Sequence, residues 1–294
     1  MLCRRESARL RSAVGVLEKQ AKSMRENHTK TLRVRPTGQW DRIVEITPQS
    51  AGWQYTGFVV HRLVAGVRLP LPPLPRERCV IVLSGIVTVS AGRNEWRGIG
   101  WRKSVFEDSP PFAVYLPGGE AGTVTTQSEA EIAVASAPDL AMAFPPRLIE
   151  PGEMPRTERG RGTNLRYICD ILPATQPAAN LLVVEVRTPA SHSSSYPPHK
   201  HDRDALPEES QLEEIYYHRI DPPSGFAFQR IYTDDRSLDE AVVIEDHDSV
   251  VVVRGYHPVV MPHGYRGYYL NVMAGPKRVW RIKNDPAHAW LLGR

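Results

Sequence analysis

The sequence predicts an all-β protein built from two similar sandwiches or closed barrels. Three observations lead there. First, 26 of the 294 residues are proline, against about 5% in an ordinary globular chain. Proline lacks a backbone donor and clashes inside helices, so long helices are excluded from most of the chain. Second, from residue 32 onward, short runs rich in β-branched and aromatic residues alternate with glycine and proline, which is the pattern of strands and turns. Third, the punctuation recurs. Gly85 interrupts an apolar run in the first half, as Gly255 ends one in the second, and glycine supplies the φ values that other residues avoid where a strand turns.

The expected elements follow in chain order. Residues 1–30 carry eight Lys/Arg and three Glu. They lack the apolar core of a secretory signal and read as a basic extension, helical or disordered, with Met24 as an alternative initiator. A first barrel spans 31–145, with strands at 57–63, 79–90, 113–116 and 131–136. Residues 146–165, rich in proline and holding the Arg159, Gly160, Arg161, Gly162 stretch, read as a solvated linker. A second barrel spans 166–294, with strands at 181–187, 214–220, 227–233, 249–253 and 268–274.

Composition narrows the function classes. The net charge of +4 belongs to the first 30 residues; the rest holds 29 basic and 30 acidic side chains. A near-neutral body carries no nucleic-acid surface. No apolar run approaches the roughly 18 residues that span a bilayer, so neither a nucleic acid nor a membrane is an expected partner. Cys3, Cys79 and Cys169 are odd in number and outside any paired spacing. That argues against a disulfide framework and for a reducing, cytoplasmic compartment.

Histidine placement says where the chemistry sits. Eight of ten histidines lie in the second portion, whereas the first barrel holds only His61 and cannot build a polyhistidine site. His199 and His201 are two apart, so on a strand they project to one face while Lys200 points away. Glu214 opens the next strand, with Glu213 as its competitor on the opposite face. His257 follows the glycine turn at Gly255, with His263 as its competitor. Three imidazoles and one carboxylate suit a borderline divalent cation: zinc or manganese, with iron and nickel as alternatives.

His-x-His, then Glu, then a glycine turn with His, in a duplicated β-rich chain, resembles the metal motifs of the cupin superfamily. Two departures stand out: about twelve residues separate His201 from Glu214 where cupins have three or four, and no proline precedes the Gly255 turn. An inserted loop at 202–212 accounts for the first. The strings LEEIYYHRI (212–220), GFAFQRIYTDDRSLD (225–239) and GYYLNVMAGP (267–276) resemble, more narrowly, the uronate isomerase branch of the bicupins, from about residue 32 to the C-terminus.

The resemblance implies two double-stranded β-helix (jelly-roll) barrels, with His199, His201, Glu214 and His257 as ligands of one divalent metal ion. It implies a small-molecule uronate substrate and a homo-oligomer. The implied reaction is an aldose–ketose isomerisation, 5-deoxy-D-glucuronate to 5-dehydro-2-deoxy-D-gluconate, in myo-inositol catabolism. There a cation stabilises the charge of an enediolate while a base moves the proton from C2 to C1; a hydride shift is the other route. Tyr216 and His218, on the Glu214 face, are candidate catalytic groups, with metal-bound hydroxide as a third source of the base. Arg230, Arg236 and Arg254 are candidates to anchor the substrate carboxylate. A cupin dioxygenase and a non-catalytic sugar- or metal-binding cupin are the rival classes.

Overall fold

The computed structural model describes residues 32–139 and 144–293; the basic extension lies outside them. Two barrels are formed, each from a large and a small antiparallel sheet. In the first, a six-stranded sheet runs in the order Arg147–Ile149, Ala113–Leu116, Arg76–Ser84, Ala130–Pro138, Gly57–Leu63, Arg42–Ile46. It faces a four-stranded sheet of Arg68–Leu71, Gly122–Thr126, Val87–Ala91 and Asn94–Ile99.

In the second barrel, a seven-stranded sheet runs Arg33–Val34, Ser249–Val252, Glu213–Asp221, Arg266–Ala274, Leu182–Thr188, Arg166–Leu172, Arg156–Arg159. Opposite lie Ser193–Ser194, Val259–Val260, Phe226–Tyr232 and Asp239–Glu245.

The run 79–90 is two strands, not one. Gly85 sits at φ +88°, where a Cβ would come within 2.3 Å of the Glu129 carbonyl oxygen, and there the chain leaves the large sheet for the small one. Residues 146–165, expected as a linker, contribute an edge strand to each barrel, Arg147–Ile149 to the first and Arg156–Arg159 to the second. At the other end, Arg33–Val34 pairs with Ser249–Val252 before the chain enters the first barrel.

The large sheets pack against each other, so both of their faces are buried. Successive residues therefore alternate between two cores, and the strands read as continuous apolar runs. In Ala130–Pro138, Ile132 and Val134 fill the first barrel while Ala133, Ala135 and Ala137 meet the second. In Leu182–Thr188, Val184 and Val186 fill the second barrel while Val183 faces the first. Cys79 and Cys169 are free and lie in the shared core, where burial pushes both thiols up to about 12.

Buried carboxylates fasten the barrels. Glu77 of the first accepts the backbone N–H groups of Ala179, Asn180 and Leu181 at 2.7, 2.5 and 2.5 Å and the Tyr115 hydroxyl at 2.7 Å. Reciprocally, Glu213 of the second accepts from the N–H groups of Gln54, Tyr55 and Thr56 at 2.7, 2.7 and 2.9 Å. Arg102 donates both terminal nitrogens to Glu185 (3.1 and 3.0 Å), and Arg219 bridges both oxygens of Glu131 (3.0 and 3.1 Å).

Removing the Glu77 carboxylate leaves four buried donors, three backbone N–H groups and the Tyr115 hydroxyl, without their acceptor, at a cost of about 1 kcal/mol or more each. Glu77→Ala is expected to destabilise the protein by about 3–5 kcal/mol in urea unfolding, with the metal content of the folded fraction unchanged. An unfolding midpoint equal to wild type would show that this contact does not hold the barrels together.

Candidate metal centre and its cavity

Strand alternation builds the site from the inward face of Glu213–Asp221. Glu213 points to the other barrel and Glu214 into its own, where it is 1% exposed. Directly opposite this strand runs Arg266–Ala274, whose inward Asn271 donates to Glu214 Oε1 at 2.6 Å. The other oxygen, Oε2, lies 3.0 Å from His201 Nε2 and 3.1 Å from His257 Nε2. His199 closes the group, its ring centroid 5.0 Å from that of His257 and 6.4 Å from that of His201.

Every imidazole is oriented by a backbone carbonyl. Nδ1 of His199, His201 and His257 contacts the carbonyl oxygens of Pro197, Leu212 and Gly255 at 3.3, 3.3 and 2.8 Å. A donor at Nδ1 fixes the tautomer and turns the Nε2 lone pair inward, the usual second support of a metal-binding histidine. His257 Nε2 is buried, with Glu214 Oε2 3.1 Å away. The ligand atoms of His201, Glu214 and His257 lie within 4.8 Å of one another, a separation that bonds of about 2.0–2.2 Å to one central cation span. The residues present therefore fit a divalent metal.

Electrostatics agree with that fit. Burial, reinforced by the charges of His257 and His201, holds His199 down to about 3, so it is a neutral donor at any physiological pH. Burial would raise Glu214, but hydrogen bonds from His201 and His257 and their charges outweigh it and pull the carboxyl down to about 2. His201 moves upward because its bond to Glu214 overcomes burial. A metal entering the cluster displaces a proton that Glu214 otherwise favours on His201, which couples binding to proton release.

The insertion between the motifs is structural. Asp202–Ala205 and Glu209–Gln211 form a hairpin. Lys200, pointing away from the cavity, anchors it through Asp202 (2.7 Å) and Glu209 (3.2 Å). Asp202 in turn accepts from Gly255 N–H at 2.7 Å, tying the hairpin to the turn that presents His257. Gly255 has φ +89°, and a Cβ there would fall 2.4 Å from the Tyr232 carbonyl oxygen.

A cavity of about 230 Å³ opens beside the cluster, lined by His199, Glu214, Tyr216, Asn271, Ser195 and Tyr269 and walled by Ile168, Val184, Val186 and Trp280. The Tyr216 hydroxyl is 2.7 Å from Ser195 Oγ, and burial beside Glu214 raises it far above its ordinary value, keeping the phenol protonated.

Other expected residues lie elsewhere. His218 stacks behind Tyr216 and bonds Gln229 Oε1 at 3.2 Å; Gln229 in turn donates to the His257 carbonyl. It supports the His257 loop from outside the cavity. His263 is exposed, with Nδ1 3.4 Å from Ser191 Oγ. Arg230 shares the outer face of Phe226–Tyr232 with Phe226 and Phe228, because Ala227, Gln229 and Ile231 take the inner positions; it pairs with Asp239 at 2.7 and 2.8 Å. Arg236 packs on the Tyr232 ring, and Arg254 is exposed beside the turn. None of the three arginines lines the cavity. Arg159 and Arg166 do. Asn271, a lone amide in an apolar strand, was a readable signal.

The fold defines a bicupin in which one barrel carries the candidate metal ligands. The chain belongs to the KduI/IolB family, whose profile matches residues 30–291. It is 49% identical over 250 residues to the 5-deoxy-glucuronate isomerase of Geobacillus thermodenitrificans, covering 85% of this chain and 91% of that protein. Against the 5-deoxy-glucuronate isomerase of Bacillus subtilis strain 168 the identity is 45% over 251 residues, with 85% and 92% covered. An IolB-like protein from Salmonella typhimurium LT2 superposes with a TM-score of 0.87 at 47% identity, over 89% of this chain and 99% of that one. Oxalate decarboxylase of Lactobacillus farciminis shares the fold alone, with a TM-score of 0.63 at 12% identity over 90% of each chain.

The buried His218 generates a pH prediction. Burial lowers it from 6.5 to about 4, so between those values the unfolded chain binds a proton that the native protein refuses. Stability is therefore fully present above pH 6.5 and falls as pH drops toward 4, by at most about 3 kcal/mol from this group. In chelator, His218→Gln is expected to lose that component of the difference between urea unfolding at pH 7 and pH 5. An unchanged difference would contradict it.

Proposed function

We propose that this protein is a 5-deoxy-glucuronate isomerase, acting in the cytoplasm on a small uronate in myo-inositol catabolism and assembling as a homo-oligomer. It converts 5-deoxy-D-glucuronate to 5-dehydro-2-deoxy-D-gluconate. The observation that carries the reading is the buried His201, Glu214, His257 cluster, opening past His199 onto a polar-lined cavity, in a chain nearly half identical to proteins of that name.

His199, His201, Glu214 and His257 would hold one divalent ion, zinc or manganese, through three imidazole nitrogens and a carboxylate. When bound, such an ion supplies Lewis acidity to the substrate's carbonyl and neighbouring hydroxyl oxygens. The reaction is redox-neutral within one molecule: C1 is reduced from aldehyde to alcohol as C2 is oxidised from alcohol to ketone, so no external oxidant is needed.

Asn271 keeps Glu214 turned toward the histidines, leaving its second oxygen for the cluster. Tyr216, held protonated and aimed by Ser195, is the proton donor placed to hydrogen-bond a substrate oxygen in the cavity. The apolar wall of Ile168, Val184, Val186 and Trp280 limits water around the reacting carbons, strengthening these polar contacts.

The test is a coupled assay on 5-deoxy-D-glucuronate after chelation, with single metals added back. Ketose is expected to form without oxygen consumption, with activity lost on chelation and restored by one or two of the metals. Glu214→Gln and His201→Ala are expected to carry substoichiometric metal and to lose at least about 10³-fold in kcat/KM. Oxygen uptake would instead indicate a dioxygenase, and no turnover with intact metal binding a non-catalytic cupin.

A further inference from the structure

Two arginines face the cavity from the edge of the large sheet, and among the described residues neither forms a salt bridge. Arg159 and Arg166 are direct cross-strand partners in the pairing of Arg156–Arg159 with Arg166–Leu172. Like charges in that position repel and destabilise a sheet. Arg166 shares its face with Ile168, an inward residue of the barrel core, and both arginines line the cavity that holds His199, Glu214 and Tyr216.

The Arg166 guanidinium is fixed entirely by neutral acceptors. One terminal nitrogen donates to the backbone and side-chain oxygens of Asn164 at 3.0 and 3.1 Å, and the other to the Tyr196 carbonyl at 2.7 Å. Gly160 makes room for it: at φ +76°, a Cβ there would lie 2.8 Å from Arg166 Nη1 and 2.1 Å from the Asn164 carbonyl oxygen. Burial, with Arg159 nearby, pushes the guanidinium below its ordinary value. Among the described residues, neither arginine forms a salt bridge. Asp170, the acid whose charge reaches Arg159, has its own carboxyl raised by burial. A half-buried guanidinium held in place by neutral acceptors, with a second, exposed arginine beside it and no salt bridge to either, is a site for a planar anion that takes two hydrogen bonds.

We propose that Arg166, with Arg159 beside it, binds the carboxylate of the substrate and so sets which end of the molecule reaches the metal ligands. This rests on the isomerase reading for the identity of the anion. The strand of Arg166 lies three places from that of Glu214 in the sheet order, or about 14 Å at the usual strand spacing. An arginine side chain and a six-carbon acid together bridge that span. The carboxylate at C6 would then sit at one end with C1 and C2 at the other. Val184 and Trp280, which line both this cavity and the neighbouring one with Arg159, give an apolar surface suited to the methylene at C5. Tyr196 joins the two ends: its carbonyl holds Arg166, and three residues on stands His199.

The experiment separates this inference from the reaction itself. The probe is the substrate reduced at C1 to the alcohol, an acid that cannot isomerise, and its control is the corresponding C6 carboxamide. Both are titrated calorimetrically into the metal-loaded full chain. Wild type is expected to bind the acid at least about tenfold more tightly than the amide, Arg166→Gln to abolish that preference, and Arg166→Lys and Arg159→Gln to retain part of it. In turnover, Arg166→Gln is expected to raise KM for the uronate by about 100-fold with kcat changed far less.

A preserved acid-over-amide preference in Arg166→Gln overturns the proposal. So does equal weakening of both ligands in Arg166→Gln and Arg166→Lys, which would mark a merely structural role. If the preference depends on Arg166 but the parent aldehyde is never isomerised, the anion site stands and the isomerase reading falls.

Discussion

The burial of both faces of one strand, Glu213–Asp221, is the constraint on which the rest of this molecule depends. Its period of two sends Glu213, Ile215 and Tyr217 into the contact between barrels and Glu214, Tyr216 and His218 into the second barrel. Two adjacent glutamates thus do unrelated work: one closes three backbone N–H groups of the neighbouring barrel, the other sits among the histidines of the candidate metal centre. A slip of one residue would exchange those roles and place an uncompensated carboxylate on each side, so register is specified twice over.

The same logic explains how the site is held. The ligands come from separate segments, yet each is tied to a support that is itself tied down. His201 leans on the Leu212 carbonyl at the far end of the inserted hairpin, and His257 on the Gly255 carbonyl, whose own N–H is bound by Asp202 of that hairpin. Lys200, between the two neighbouring histidines, is the buried cation that neutralises the hairpin's acids. The insertion that makes the motif spacing atypical is therefore the brace that aligns two of its ligands.

Much of this was legible in the sequence. Proline density, apolar runs and glycine breaks located the barrels, because a strand buried on both faces has nearly every position apolar. His199 and His201 read as a pair with Lys200 opposed, for a strand offers no other arrangement. The arginines are less legible. The inward series Ala227, Gln229, Ile231 puts Arg230 on the outer face of its strand. Arg159 and Arg166 line the cavity from an edge pairing in a proline-rich stretch, which is decided by what the rest of the fold leaves unpaired, while local composition there reads as solvated loop. His257 over His263 likewise depended on which side of a turn faces inward, which only the glycine at 255 hinted at.

The pairing of Arg33–Val34 with Ser249–Val252 has a consequence for biosynthesis. Arg33 closes onto Glu245 across 212 residues, and Leu32 is buried in the second barrel's interior. At roughly 5–20 residues per second, the ribosome delivers that partner about 10–40 s after the N-terminal strand emerges. The first barrel can condense during that delay, but the strand leading into it stays without its sheet until the second barrel is nearly complete. The order of assembly is thus not the order of synthesis, and the earliest described residues are among the last to find their place.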